Sequence, residues 1–127
     1  MGQPVPGGDA RLEDIFVDHI KTIKAINQSR GIRVVFIGQM LNRAFFKGAR
    51  PPESWTPLVR QEDMWPLQVR LNELLKTTAE SGTAAPYIDP GIENFEARDF
   101  ADEGHFTAAG ALKFSNLIAD RVSGYCQ

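Results

Sequence analysis

The run Val34-Val35-Phe36-Ile37, inside "RVVFIGQML", limits this chain's choice of fold more than any other stretch. It is rich in β-branched residues, apolar without alternation, and too short for a buried helix, so it predicts a strand covered on both faces, as strands of parallel sheets are. One other segment, "PYID" around Tyr87 and Ile88, reads as a strand. Helical patterns surround both. From Leu12 the residues Ile15, Phe16, Ile20, Ile23 and Ile26 fall on one stripe, with Asp9 as the expected N-cap and Gly31 as the stop. Leu67, Leu71, Leu74 and Leu75 mark a second helix that ends near Ser81-Gly82. A third starts at Thr107 as the cap and carries Ala111, Leu112, Phe114, Ile118 and Val122.

The order α-β-α-β-α indicates an α/β fold with two parallel strands joined by crossovers. Two strands are a small part of any sheet that helices cover on both faces, so the text predicts an incomplete sheet. Residues 1–8 hold too many prolines and glycines for a regular element and read as an irregular N-terminal loop. Residues 42–66 read as a long irregular loop, broken by Pro51, Pro52, Pro57 and Pro66. No internal repeat divides the 127 residues, which fit a single domain.

Charge narrows the partners. Lys and Arg number 14 against 16 Asp and Glu, a formal charge of −2 with no long block of either sign, which argues against nucleic acid. No stretch approaches the ~18 consecutive apolar residues of a membrane span, and "MGQPVPGGDAR" has no apolar signal-peptide core. The text therefore leaves the compartment unknown. The one cysteine, Cys126, has no internal partner for a disulfide.

Chemistry concentrates in "ADEGHFTAAGALKF", where Asp102 precedes His105 by three residues, just ahead of the third helix. A histidine base needs one tautomer held and its cation stabilised, and a neighbouring carboxylate does both. Such loops, beyond the C-terminal ends of parallel strands, are where α/β sheets place ligands. A solvated turn holding an exposed histidine is the competing reading of the same spacing. A metal site lacks further ligands at defined spacing, and neither metal nor cofactor is expected. His19, the other histidine, reads as a helix-face residue.

The stretch "DEGHFTAAGALKFSNLIADRV" resembles the terminal block of the SGNH hydrolases, the GDSL esterase and lipase family. In that family an Asp-x-x-His before a final helix supplies two members of a catalytic triad. "RVVFIGQML", "LQVRLNELLKTTAESG" and "PYID" look like its fourth strand, the following helix and its fifth strand. The resemblance implies the C-terminal part of a three-layer α/β/α, flavodoxin-like fold, with His105 as base and Asp102 as orienter of a serine esterase. It also implies what is absent. None of Ser29, Ser54, Ser81, Ser115 and Ser123 follows a Gly-Asp pair, and Asn42 in "GQMLN" lacks the family's Gly-x-Asn-Asp setting.

The expectation is thus a chain without nucleophile or oxyanion-hole blocks, inactive alone, that needs an N-terminal half to cleave an ester, such as an acetyl group on a sugar. Trp55 and Trp65 are candidates for a pocket wall. The alternative is a non-catalytic α/β module that binds a partner, or a second copy, through its uncovered sheet.

Overall fold

The computed structural model describes residues 10–47 and 59–126. The expected loop over residues 1–8, the Asp9 cap and Trp55 lie outside them. Among the described residues the chain is mixed and mostly helical with one two-stranded parallel sheet, which agrees with a coarse α/β reading. The elements are α1 (Ala10–Ser29), β1 (Phe36–Ile37), α2 (Arg43–Lys47), α3 (Gln61–Glu80), β2 (Tyr87–Ile88), two 3₁₀ turns (Ile92–Asn94 and Ala97–Asp99) and α4 (Ala108–Tyr125).

α1 stops where the sequence said it would. Gly31 takes φ 69°, and the amides of Gly31 and Ile32 return to the carbonyls of Gln28 and Asn27 at 3.0 and 2.9 Å, a Schellman closure. β1 and β2 pair in register Phe36↔Tyr87 and Ile37↔Ile88, with the amides of Phe36 and Gly38 donating to Pro86 and Ile88 carbonyls. Phe36 packs with Ile20, Leu75, Ala79 and Ala85, and Phe16, Val34 and Tyr87 border the cluster. The α1/α3 layer therefore covers one face of the sheet.

The other face differs from the expectation of a strand covered on both sides. Val35 and Ile37 alternate with Phe36 and are only half-buried. Among the described residues β1 pairs with β2 alone, so its second edge is open. Ile15, Ile23, Ile26 and Ile32 are exposed as well. Ile88, beside Ile37 in the register, is buried, so this face of the sheet is covered over β2 and thins only toward the open edge of β1.

The expected loop over residues 42–66 is corrected at both ends. Arg43–Lys47 is helical, and α3 begins at Gln61, so Pro66 lies inside a helix rather than before one. Pro66 forfeits one backbone hydrogen bond there. Local contacts offset it: Arg60 Nε donates to Asp63 at 2.7 Å across the first turn, and Met64 is buried. The proline signalled a stop that tertiary packing overrides.

α1 and α3 are tied by more than apolar contact. Glu13 takes a two-pronged hydrogen bond from Arg70, both arms at 2.9 Å. Lys24, buried on α1, directs its Nζ to the carbonyls of Thr78, Ala79 and Ser81 at 2.9, 2.8 and 2.7 Å. These are the carbonyls left over at the end of α3, where a cation also meets the negative end of the helix dipole. Lys24→Met keeps the apolar stem and removes the ammonium; Thr78 keeps the Ser81 hydroxyl and Ala79 the Ala85 amide, so the Ser81 carbonyl is the one left unpaired. The substitution is expected to cost about 2 kcal/mol, read as a lower urea midpoint with unchanged slope; an unchanged midpoint would mean that water replaces the ammonium at no cost.

Candidate active-site loop

The loop that carries Asp102 and His105 runs from β2 to α4 and is pinned at its neck. Phe100 and Phe106 form an antiparallel bridge, the Ala101 amide donates to the His105 carbonyl at 2.7 Å, and the Thr107 amide to that of Asp99 at 2.9 Å. Aromatic rings fill the space beneath. Phe106 sits with its ring centre 5.1 Å from Phe100, 5.4 Å from Phe95 and 5.3 Å from Phe114 of α4. Four phenylalanines thus serve as the small core of this half of the chain.

α4 starts with Thr107, whose Oγ1 accepts the Gly110 amide at 3.1 Å, as the sequence expects of a cap. Asp99 is buried and bonds the Glu96 amide at 2.8 Å and the Lys113 ammonium of α4. The Glu96 amide, and then Lys113, hold its carboxyl below the ordinary carboxylate range. Sequence reading missed this pair. Its only textual signal is an acid and a lysine fourteen positions apart across a loop, and loop geometry alone joins them.

Asp102 and His105 meet. Nδ1 of His105 lies 2.9 and 2.8 Å from the two carboxylate oxygens of Asp102. Oδ1 of Asp102 also accepts the amides of Gly104 and His105 at 2.9 and 2.8 Å, so the carboxylate folds the tetrad around itself. Those amides, Gly104 first, hold its carboxyl below the ordinary range, and the imidazole adds to the effect. An ionised carboxylate beside Nδ1 requires the proton on Nδ1. Nε2 is then the basic nitrogen, on a side chain 82% exposed.

Asn42 steadies this loop from the segment after β1. Its amide donates to the Glu103 carbonyl at 2.9 Å and its Nδ2 to the Asp102 carbonyl at 3.3 Å. The asparagine that read as an ordinary loop residue is a brace between the segment after β1 and the His105 loop. His19 is exposed on α1. Trp65 stands under the guanidinium of Arg43, 5.4 Å from ring centre, and lines a cleft that neither Asp102 nor His105 borders.

No protein-family model, curated protein or solved structure matches this chain. Among the described residues no hydroxyl, thiol or amine bonds His105 Nε2, and no group of three or more metal-ligating side chains occurs. No helix there is long and apolar enough to cross a membrane.

The lowered Asp102 carboxyl fixes the sign of one pH effect. A carboxyl depressed by folding stabilises the loop above its unfolded value and loses that contribution as pH falls through the folded one. The carbon resonance of the Asp102 carboxyl should titrate with a midpoint below ~3.9, and the Gly104 and His105 amide shifts should follow with the same midpoint. A midpoint at or above that value would mean that the amides do not hold the carboxylate.

Proposed function

We propose that this chain provides the base and its orienter for a serine-type acyl hydrolase, with the serine supplied by another polypeptide segment. The supporting observation is the Asp102–His105 pair itself: Nδ1 anchored on both oxygens and Nε2 directed to solvent from a loop that Asn42 and four aromatic rings hold still. In this reading Nε2 accepts the proton of the attacking hydroxyl and returns it to the leaving alcohol, while Asp102 stabilises the imidazolium. The fold would be the C-terminal portion of a three-layer α/β/α SGNH-type domain. The open edge of β1 and half-buried Val35 and Ile37 fit a sheet that continues on that side. The substrate would be a carboxylic ester, such as an acetylated sugar.

A second reading has its own support. The same open edge and the exposed Ile15, Ile23 and Ile26 suit a module that binds through apolar surface without catalysis. In that case Asp102 serves only to fold its own turn. One experiment separates the two: the chain is mixed or co-expressed with a polypeptide bearing a strand that ends in Gly-Asp-Ser, and hydrolysis of a short aryl ester is followed. Turnover that needs both chains supports the hydrolase reading; complex formation without turnover supports the second.

A further inference from the structure

Apart from the His105 loop, the described residues contain a cleft of about 440 Å³ between α3 and the segments that follow β1 and β2. That volume suits a small molecule. Its walls include the Trp65 ring, Met40 and Pro90. Of its neutral polar residues, Gln39 and Asn72 bond each other, which leaves Gln68 and Tyr87. Gln68 is nine-tenths buried, and its Nε2 makes two long bonds, 3.4 Å to the Gln39 carbonyl and 3.3 Å to Asn72 Oδ1, whereas its Oε1 bonds nothing among the described residues. Because no buried side-chain oxygen there lacks a partner, Oε1 must reach solvent, and Gln68 borders the cleft.

The second is the Tyr87 hydroxyl. It lies over Gly38, where an added Cβ would stand 2.5 Å from it, so only a glycine leaves the ring its seat. The hydroxyl bonds no described residue, and because no buried side-chain oxygen there lacks a partner, it too must reach solvent. Burial, then Asp89, pushes its pKa up, which keeps it a neutral donor. The rim mixes acceptors, Glu73, Glu80 and Asp89, with donors, Lys76 and Arg121.

A wholly apolar ligand would strip water from Gln68 and Tyr87 and leave both unpaired, a loss of affinity. An anion would meet carboxylates at the rim, and a bare cation would meet Lys76 and Arg121. A ring with hydroxyls around its edge and a C–H face satisfies all of these groups, because each hydroxyl both donates and accepts. We infer that this cleft binds a neutral sugar of one or two rings, with the ring face against Trp65 and hydroxyls on Gln68 and Tyr87. The site is independent of the hydrolase reading, since neither Asp102 nor His105 takes part.

The probes are cellobiose and N-acetylglucosamine, titrated at millimolar concentration into the whole chain while the Trp65 indole N–H and Asn72 side-chain amide are followed by NMR. Saturable shifts of both are expected with at least one sugar. Tyr87→Phe, which keeps the ring and removes one hydrogen bond, should weaken binding about fivefold, and His19→Ala, on the exposed face of α1, should leave it unchanged. Cyclohexanol is the apolar control and sodium acetate the anion. The inference is overturned if neither sugar gives a saturable shift, if Tyr87→Phe binds as well as the parent, or if cyclohexanol or acetate binds as tightly as the sugars. Activity with a serine-bearing partner plays no part in this readout, so failure of either reading leaves the other standing.

Discussion

Among the described residues, Gly110→Ala should add the most damaging single methyl group. A Cβ on Gly110 would stand 1.9 Å from the Asp99 carbonyl oxygen, 2.8 Å from its carbonyl carbon and 3.1 Å from its Cα. All three are backbone atoms, so no rotamer change relieves the overlap. That same carbonyl accepts the Thr107 amide and the Thr107 hydroxyl, and the Asp99 side chain is held by Lys113. Separation of α4 from Asp99 therefore loosens the neck of the His105 loop as well. The expected loss is about 3 kcal/mol, a fall in Tm on the order of 10 °C for a chain of this length.

The same helix contains its own control. Gly124 has nothing within 4 Å of an added Cβ and no positive φ, so Gly124→Ala should be neutral or should raise stability by about 0.5–1 kcal/mol through helix propensity. Thermal melts of the two variants test the argument. If Gly110→Ala melts with the parent, the contact between α4 and the loop is looser than described. If both variants fall equally, alanine is harmful along all of α4 and the Asp99 carbonyl is not the cause.

The order of elements was legible because each signal is local. The 3.6-residue stripe from Leu12 to Ile26, the unbroken Val34–Ile37 run and the Thr107 cap depend on nearest neighbours, and the structure has an element at each. The start of α3 was not legible, because Pro66 reads as a breaker unless one knows that Met64 is buried and Arg60 spans the first turn. Lys24 was hidden for the opposite reason. A lysine on a helix reads as solvated, and only the approach of the end of α3 supplies the three carbonyls that accept its ammonium.

The site divides along the same line. Three residues of separation let a carboxylate reach an imidazole within one turn, so Asp102 and His105 were visible in the text. Asn42 lies sixty positions from Asp102, and nothing in "GQMLN" says that its side chain crosses to the other strand end. Trp65 was marked as a candidate pocket wall, and which pocket it borders, a cleft that Asp102 and His105 do not line, was not legible, because a wall is a relation between elements and not a property of tryptophan.

With a serine-bearing partner supplied, two substitutions in the tetrad should separate orientation from folding. His105→Ala removes the base and should lower ester turnover by about 10³-fold or more. Asp102→Asn is more informative. Its Oδ1 still accepts the Gly104 and His105 amides, so the turn survives, but Oδ2, the nearer of the two groups facing Nδ1, becomes an NH₂ and the negative charge is lost. Where the NH₂ donates to Nδ1, the ring proton moves to Nε2 and leaves no lone pair where the hydroxyl proton must go; where Oδ1 keeps the Nδ1 proton, the imidazolium lacks its counter-charge. Turnover should therefore fall nearly as far as with His105→Ala, on the order of 10³-fold, while the Gly104 and His105 amide shifts at neutral pH stay near those of the parent. Asp102→Ala should lose both turnover and the turn. The chain without partner should show no hydrolysis above a heat-treated blank; activity there that depends on one of its own serines would place the nucleophile inside this chain. Full activity of the complemented His105→Ala variant would remove His105 from the chemistry and leave Asp102 as a turn-forming residue.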